Sequence, residues 1–156
     1  MATYTDDELF EEFAKLSEYY IEIGVVSEDD RRYSEKVGVT NAELMFIHEY
    51  GSPVNKIPAR PVLQMTIDWA NKELLEPTID RAIEAFINSD FDQKALEKEL
   101  KKMCVRMENY ARHIIYDNDG RLAPNSPAVA KRKKGNHPLF DTGQLAKSIT
   151  CHLVKI

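Results

Sequence analysis

The chain is short of the residues and patterns that most chemistry needs. Cys104 and Cys151 are the two cysteines among 156 residues. One stands in a helical stretch and the other in a strand-like one, and both read as small buried apolar residues. The opening, MATYTDDELFEEF, is acidic and lacks the basic-then-apolar order of a signal peptide, so synthesis and folding in a reducing cytosol are expected. No stretch approaches the ~18 apolar residues of a membrane span, and no membrane partner is expected. A glycine-rich phosphate loop and a G-x-S-x-G elbow are both missing. His48 and Glu49 are adjacent, but no second histidine stands four residues on, so the zinc-helix pattern fails. His137 and His152 have no cysteine or acid at ligand spacing. His113 reads as a surface or satisfied core histidine beside an apolar seam. DNDG, residues 117–120, lacks the later ligands and closing glutamate of a calcium loop and reads as a turn after a helix. The acids are spread along helices, and no pair stands out for acid–base work. The sequence therefore predicts no catalytic residue, no metal, no cofactor and no enzyme.

What remains is an ordinary globular composition. Hydrophobic residues make up 43% and charged residues 30%, which excludes a disordered chain and suits one domain over residues 1–156. The net charge of −5 argues against a general nucleic-acid binder, but it hides a gradient. Residues 1–60 are net −7, residues 61–118 net −3 and residues 119–156 net +5. An acidic front and a basic tail are complementary if copies pack side by side. Solvated faces within one monomer explain the same numbers.

Local patterns predict α+β architecture. Thr5 with Glu8 forms a capping box before Leu9, Phe13 and Leu16, which predicts a helix over 6–16. Tyr19, Ile21, Ile23 and Val25 alternate with their neighbours as a strand. Residues 27–38 read as a loop or hairpin tip. Thr40 with Glu43 is a second capping box, and Ala42, Met45 and Phe46 predict a helix closed by a left-handed Gly51. Pro61 suits a first helical position, and 61–88 is helical in pattern with a kink or break at Pro77. Leu96, Leu100, Met103, Met107, Tyr110 and Ile114 form one seam on a long helix, with Lys98, Lys101, Lys102, Arg106 and Arg112 opposite. Residues 117–140 follow no pattern, and about 119–140 is expected to be a flexible basic loop. Asp141 is a candidate cap for a helical turn, with Gln144 as its box partner. Ile149, Cys151 and Leu153 alternate as a closing strand. Strands from both ends are expected to share one small antiparallel sheet, packed against the long central helix and shorter ones.

Two segments carry the candidate functional residues. EYGSPVNKIPARPVLQ, residues 49–64, is a stiff elbow with Arg60 between Pro58 and Pro61. The second is the run Lys131, Arg132, Lys133 and Lys134, which reads either as a phosphate or partner contact or as a solvated loop. It lacks aromatic residues for stacking bases.

Three blocks together resemble one family. IGVV resembles its first strand. NAELMFIHEYGSPVNKIPARPVLQMTID is similar to its central motif, and LAPNSPAVAKRKKGNHPLFDTGQLAKSI to its C-terminal signature. The family is the head–tail joining proteins of tailed bacteriophages, which include neck, tail-completion and virion-morphogenesis proteins. The resemblance covers roughly residues 18–156 in matching order. Its motif positions here are Glu49, Gly51, Pro58, Ala59, Arg60, Pro61, Pro138, Leu139, Asp141, Thr142, Gly143 and Leu145. Val62 stands where the family often has an aromatic, and the acidic N-terminal helix is longer than expected.

The resemblance implies a structural virion protein in the neck or tail, made and assembled in the bacterial host cytoplasm, with no catalysis and no cofactor. It implies a homo-oligomeric ring, sixfold or twelvefold, between the head connector and the tail tube or tail terminator. Genomic DNA passing through such a ring would meet the basic loop through non-specific phosphate contact. The alternatives are a tail terminator capping the tail tube, and a small nucleic-acid-binding accessory protein. On the ring reading, Arg60 offers a planar fork to an acidic patch on the next subunit or to a carboxylate of its own fold. Its other reading is a purely intramolecular turn clamp. The interface reading expects Arg60→Ala to spare folding and impair assembly.

Overall fold

A computed structural model describes residues 4–25, 38–133 and 135–156. Along the chain run α1 (Asp6–Ala14), a 3-10 turn (Lys15–Glu18), β1 (Tyr19–Gly24), α2 (Asn41–Tyr50), α3 (Val62–Glu73) and α4 (Leu75–Asn88). They are followed by α5 (Gln93–Asp117), α6 (Pro127–Lys133), α7 (Gln144–Ser148) and β2 (Thr150–Lys155). The fold is α+β. β1 and β2, from the two ends of the chain, pair antiparallel with Ile21 opposite Leu153 and Ile23 opposite Cys151. The expectation for residues 27–38 falls almost entirely outside the described residues.

Both capping boxes form. The Thr5 and Thr40 side chains accept the N3 backbone N–H, while Glu8 and Glu43 accept the cap residue's own N–H. α5 is the spine, and Asp92 caps its first turn. Its 25 residues at 1.5 Å rise give ~37 Å. Three apolar clusters follow one another along it. Ala82, Phe86 and Leu96 pack at its start, and Ala70, Leu74, Met103, Cys104, Met107 and Cys151 at its middle. Met45, Val62, Ala111, Ile114, Ile115, Leu139, Leu145 and Ile149 pack at its end. Each large side chain taken out of water contributes about 1.5–3 kcal/mol.

The two cysteines meet between α5 and β2, and both are buried. The hydrogen bond that the Cys151 thiol donates to Cys104, and then burial, hold Cys151 protonated well above its ordinary range.

Several local expectations shift. The helix break falls at Leu74 (φ −113°), not at Pro77. A proline ring clashes with the carbonyl four residues back, so the chain breaks early enough to seat Pro77 in the first turn of α4. Pro61 lies just outside α3 as its cap residue. α2 turns Asn41, Met45 and Glu49 inward and leaves Phe46 exposed against Tyr50, with ring centroids 5.0 Å apart. Residues 127–133 are helical where no pattern was visible. Asp141 does not cap α7: Gly143 is the cap residue, and Thr142 Oγ1 accepts the Gln144 N–H at 3.4 Å. Arg112 is not a solvated cation. It pairs with Glu108 at 2.7 Å and donates to the carbonyls of Ala146 and Ile149, which ties α7 and the start of β2 to α5.

The Tyr19 hydroxyl donates to Glu97 at 3.0 Å, linking β1 to α5. Burial, and then that hydrogen bond, push its pKa up to about 12. The folded phenol therefore holds its proton where the unfolded one releases it, near 10. This stabilisation is present below about 10 and lost as pH rises toward about 12. Denaturant unfolding across that window should show falling stability, and Tyr19→Phe should flatten the fall.

Candidate functional site

The proline elbow is built by hydrogen bonds that leave little freedom. Gly51 has φ 74° and ψ 178°, a positive φ with extended ψ and not the left-handed helical cap expected for it. A Cβ there would lie 2.8 Å from Ala59 N and 2.9 Å from Ile57 O, so only glycine fits. Ser52 and Ile57 then pair as a miniature hairpin, with N–H to carbonyl distances of 2.8 and 2.9 Å. Pro61, at φ −79° and ψ 69°, centres an inverse γ-turn closed by the Val62 N–H on Arg60 O at 2.8 Å. This turn is why Pro61 stays outside the helix that follows.

α3 has no cap of its own, because its cap residue is a proline. Glu49 supplies one from α2. Its buried carboxylate accepts the N–H of Leu63 at 3.0 Å and of Gln64 at 2.7 Å, placing negative charge at the positive end of α3. The adjacent His–Glu pair thus has a structural division of labour, with Glu49 capping α3 and His48 facing Arg60.

Arg60 is 4% exposed. Its Nε donates to Ala123 O at 2.7 Å and its Nη2 to Pro124 O at 2.8 Å. Nη1 meets His48 Nδ1 at 3.2 Å, a position that accepts only when it carries no proton. Burial pulls the guanidinium's pKa below its ordinary value. Among the described residues, no carboxylate meets these donors. Backbone carbonyls hold it, and the intramolecular clamp is the reading that the geometry supports.

The clamp fixes the segment leading into α6. Beyond α6, Lys133 Nζ donates to Phe140 O at 3.3 Å, and His137 Nε2 hydrogen-bonds Ile115 O in the last turn of α5. Phe140 stacks on His137 (4.8 Å) and packs edge-on against Tyr116 (5.8 Å). Pro138 and Leu139 are buried beneath, and Gly143 turns at φ 78° to start α7.

These elements enclose a cleft of about 520 Å³ between the elbow on one side and α6 and α7 on the other. Of the sequence-predicted residues, Pro58, Arg60, Arg132, Lys133, Leu139, Asp141, Thr142, Gly143 and Leu145 line it. Glu49, Gly51, Ala59, Pro61 and Pro138 do not; Glu49, Gly51 and Pro61 shape the elbow and the cap, and Pro138 is buried. Lys131 is exposed outside the cleft, and Lys134 lies outside the described residues. Sequence reasoning missed Lys56, Asn125 and Val129, which also line it. Lys56 sits in the hairpin turn at a positive φ of 53°, which its residue type does not mark. The Asn125 side-chain nitrogen is buried there without a hydrogen-bond partner.

Among the described residues, no three or more His, Cys, Asp or Glu side chains are placed to hold a metal ion, and no helix is long and apolar enough to cross a membrane. Comparison with known proteins found no matching family model, no matching curated protein and no matching solved structure.

Arg60→Lys keeps the charge but replaces a three-way fork by one ammonium. It should lower unfolding free energy by roughly 2–3 kcal/mol, read as a lower urea midpoint at unchanged slope. Arg60→Ala should be at least as damaging, which revises the expectation that it spares folding. Glu49→Gln, which removes the negative charge from the α3 cap, should cost about 1 kcal/mol by the same measurement.

Proposed function

We propose that the chain is a structural virion subunit of a tailed bacteriophage, a neck or tail-completion protein that forms a ring between head connector and tail. One observation carries this reading. The separate sequence blocks that resemble the head–tail joining family lock onto one another in space. The arginine of I-P-A-R-P grips the backbone of L-x-P at Ala123 and Pro124, and the D-T-G-x-L turn lines the same cleft. Two of the three blocks, distant in the sequence, thus meet at one cleft.

Surface chemistry supports assembly over turnover. Phe46, Tyr50 and Val54 are 66%, 71% and 92% exposed on α2 and the hairpin beside the elbow. Such an apolar patch suits a protein neighbour. The elbow behind it is fixed before docking, which lowers the entropy lost when subunits close at a set angle.

A second reading, a nucleic-acid-binding accessory protein, draws on the basic residues of α6, where Lys131 and Arg132 are exposed. Two measurements separate the readings. Peptide mass spectrometry of purified phage particles from a lysate that encodes this chain should find it at several copies per particle; its absence overturns the neck reading. A DNA titration should show only weak binding. Micromolar affinity that collapses as salt rises would favour the accessory protein instead.

A further inference from the structure

Helix α1 has five acids in nine residues and buries none of its side chains. Phe10 on the same helix is 76% exposed. α1 leans on the chain just before α5, through Phe13 against Phe91 and the hydroxyl of Tyr4 on Asp90. The cleft lies toward the other end of the spine, where Leu139 and Leu145 of its wall pack with Ile114 and Ile115. About 37 Å of helix separates the two, and α1 is only ~13 Å long. Within one chain the acidic helix and the cationic cleft are too far apart to meet.

Resting on the reading of this chain as a self-assembling subunit, we propose that α1 of one copy docks in the cleft of the next, head to tail. Lys56 and Arg132, both exposed at the cleft, face incoming carboxylates. Ile57 and Val129 offer apolar wall to Phe10. A contact between two different surfaces, repeated, closes into a ring when its rotation fits. Phosphate would meet the same cations, but among the described residues no Phe, Tyr or Trp lines the cleft for base stacking. Five carboxylates on one short helix supply the complementary charge, so α1 of a second copy is the occupant.

Two full-length variants test this. One reverses α1, with Asp7→Lys and Glu11→Lys; the other reverses the cleft, with Lys56→Glu and Arg132→Glu. All four side chains are exposed, and far-UV circular dichroism checks that both variants fold. Sedimentation velocity in about 50 mM salt, where screening is weak, is the readout. The wild type should associate, each variant alone should associate at least about tenfold more weakly, and an equimolar mixture should recover association. A mixture that stays apart while the wild type assembles overturns the docking and leaves the ring reading standing. A wild type that remains monomeric, or a cleft variant that loses DNA binding with self-association intact, also overturns it. Particle composition decides the ring reading separately.

Discussion

A single buried cation organises the functional half of the molecule. Removing a guanidinium from water costs several kcal/mol, and a partner carboxylate is the usual compensation. Arg60 has carbonyl oxygens and an imidazole nitrogen instead. Hydrogen bonds from a charged donor contribute about 1.5–3 kcal/mol each, so the arrangement holds only while every partner is in place. The elbow, the segment at 123–124 and the helix after it are thereby made one unit. Among the described residues no carboxylate meets the guanidinium, and Lys56, Arg132 and Lys133 line the same cleft.

The long helix decides how the ends of the chain relate. α5 collects all three apolar clusters, holds the acidic helix near its start and the cationic cleft near its end, and carries the two-stranded sheet alongside. The acidic helix and the cationic cleft are held apart because this spine, ~37 Å long, has one near its start and the other near its end. On the reading proposed above, opposite charge at its two ends suits the chain to meeting copies of itself.

Features with local causes were legible in the sequence. Both capping boxes, the α5 seam and the two strands depend on spacing within a few residues or on one apolar face. Other features depend on partners that sequence does not mark. Backbone carbonyls have no residue type, so nothing flagged Ala123 and Pro124 as acceptors for Arg60, or Ala146 and Ile149 for Arg112. Ala42, Met45 and Phe46 marked α2 as a helix, but which side it buries was not legible: Met45 and Glu49 face inward and Phe46 is exposed. The family motif pointed to Glu49 and Gly51 without their roles. One is a cap supplied from another helix, and the other is a close backbone approach that excludes a side chain.

The coupling of elbow and cleft is open to direct observation by native-state amide hydrogen exchange. Protection of Val62, whose N–H closes the turn on Arg60, and of Ala130 and Gly135, whose amides are bonded within and just after α6, should be compared in the wild type and Arg60→Lys. Amides that open in one cooperative unit share one opening free energy. The account predicts that these three share one value in the wild type and fall together in the variant. Amides of α6 that open independently of the elbow, unchanged by Arg60→Lys, would contradict it.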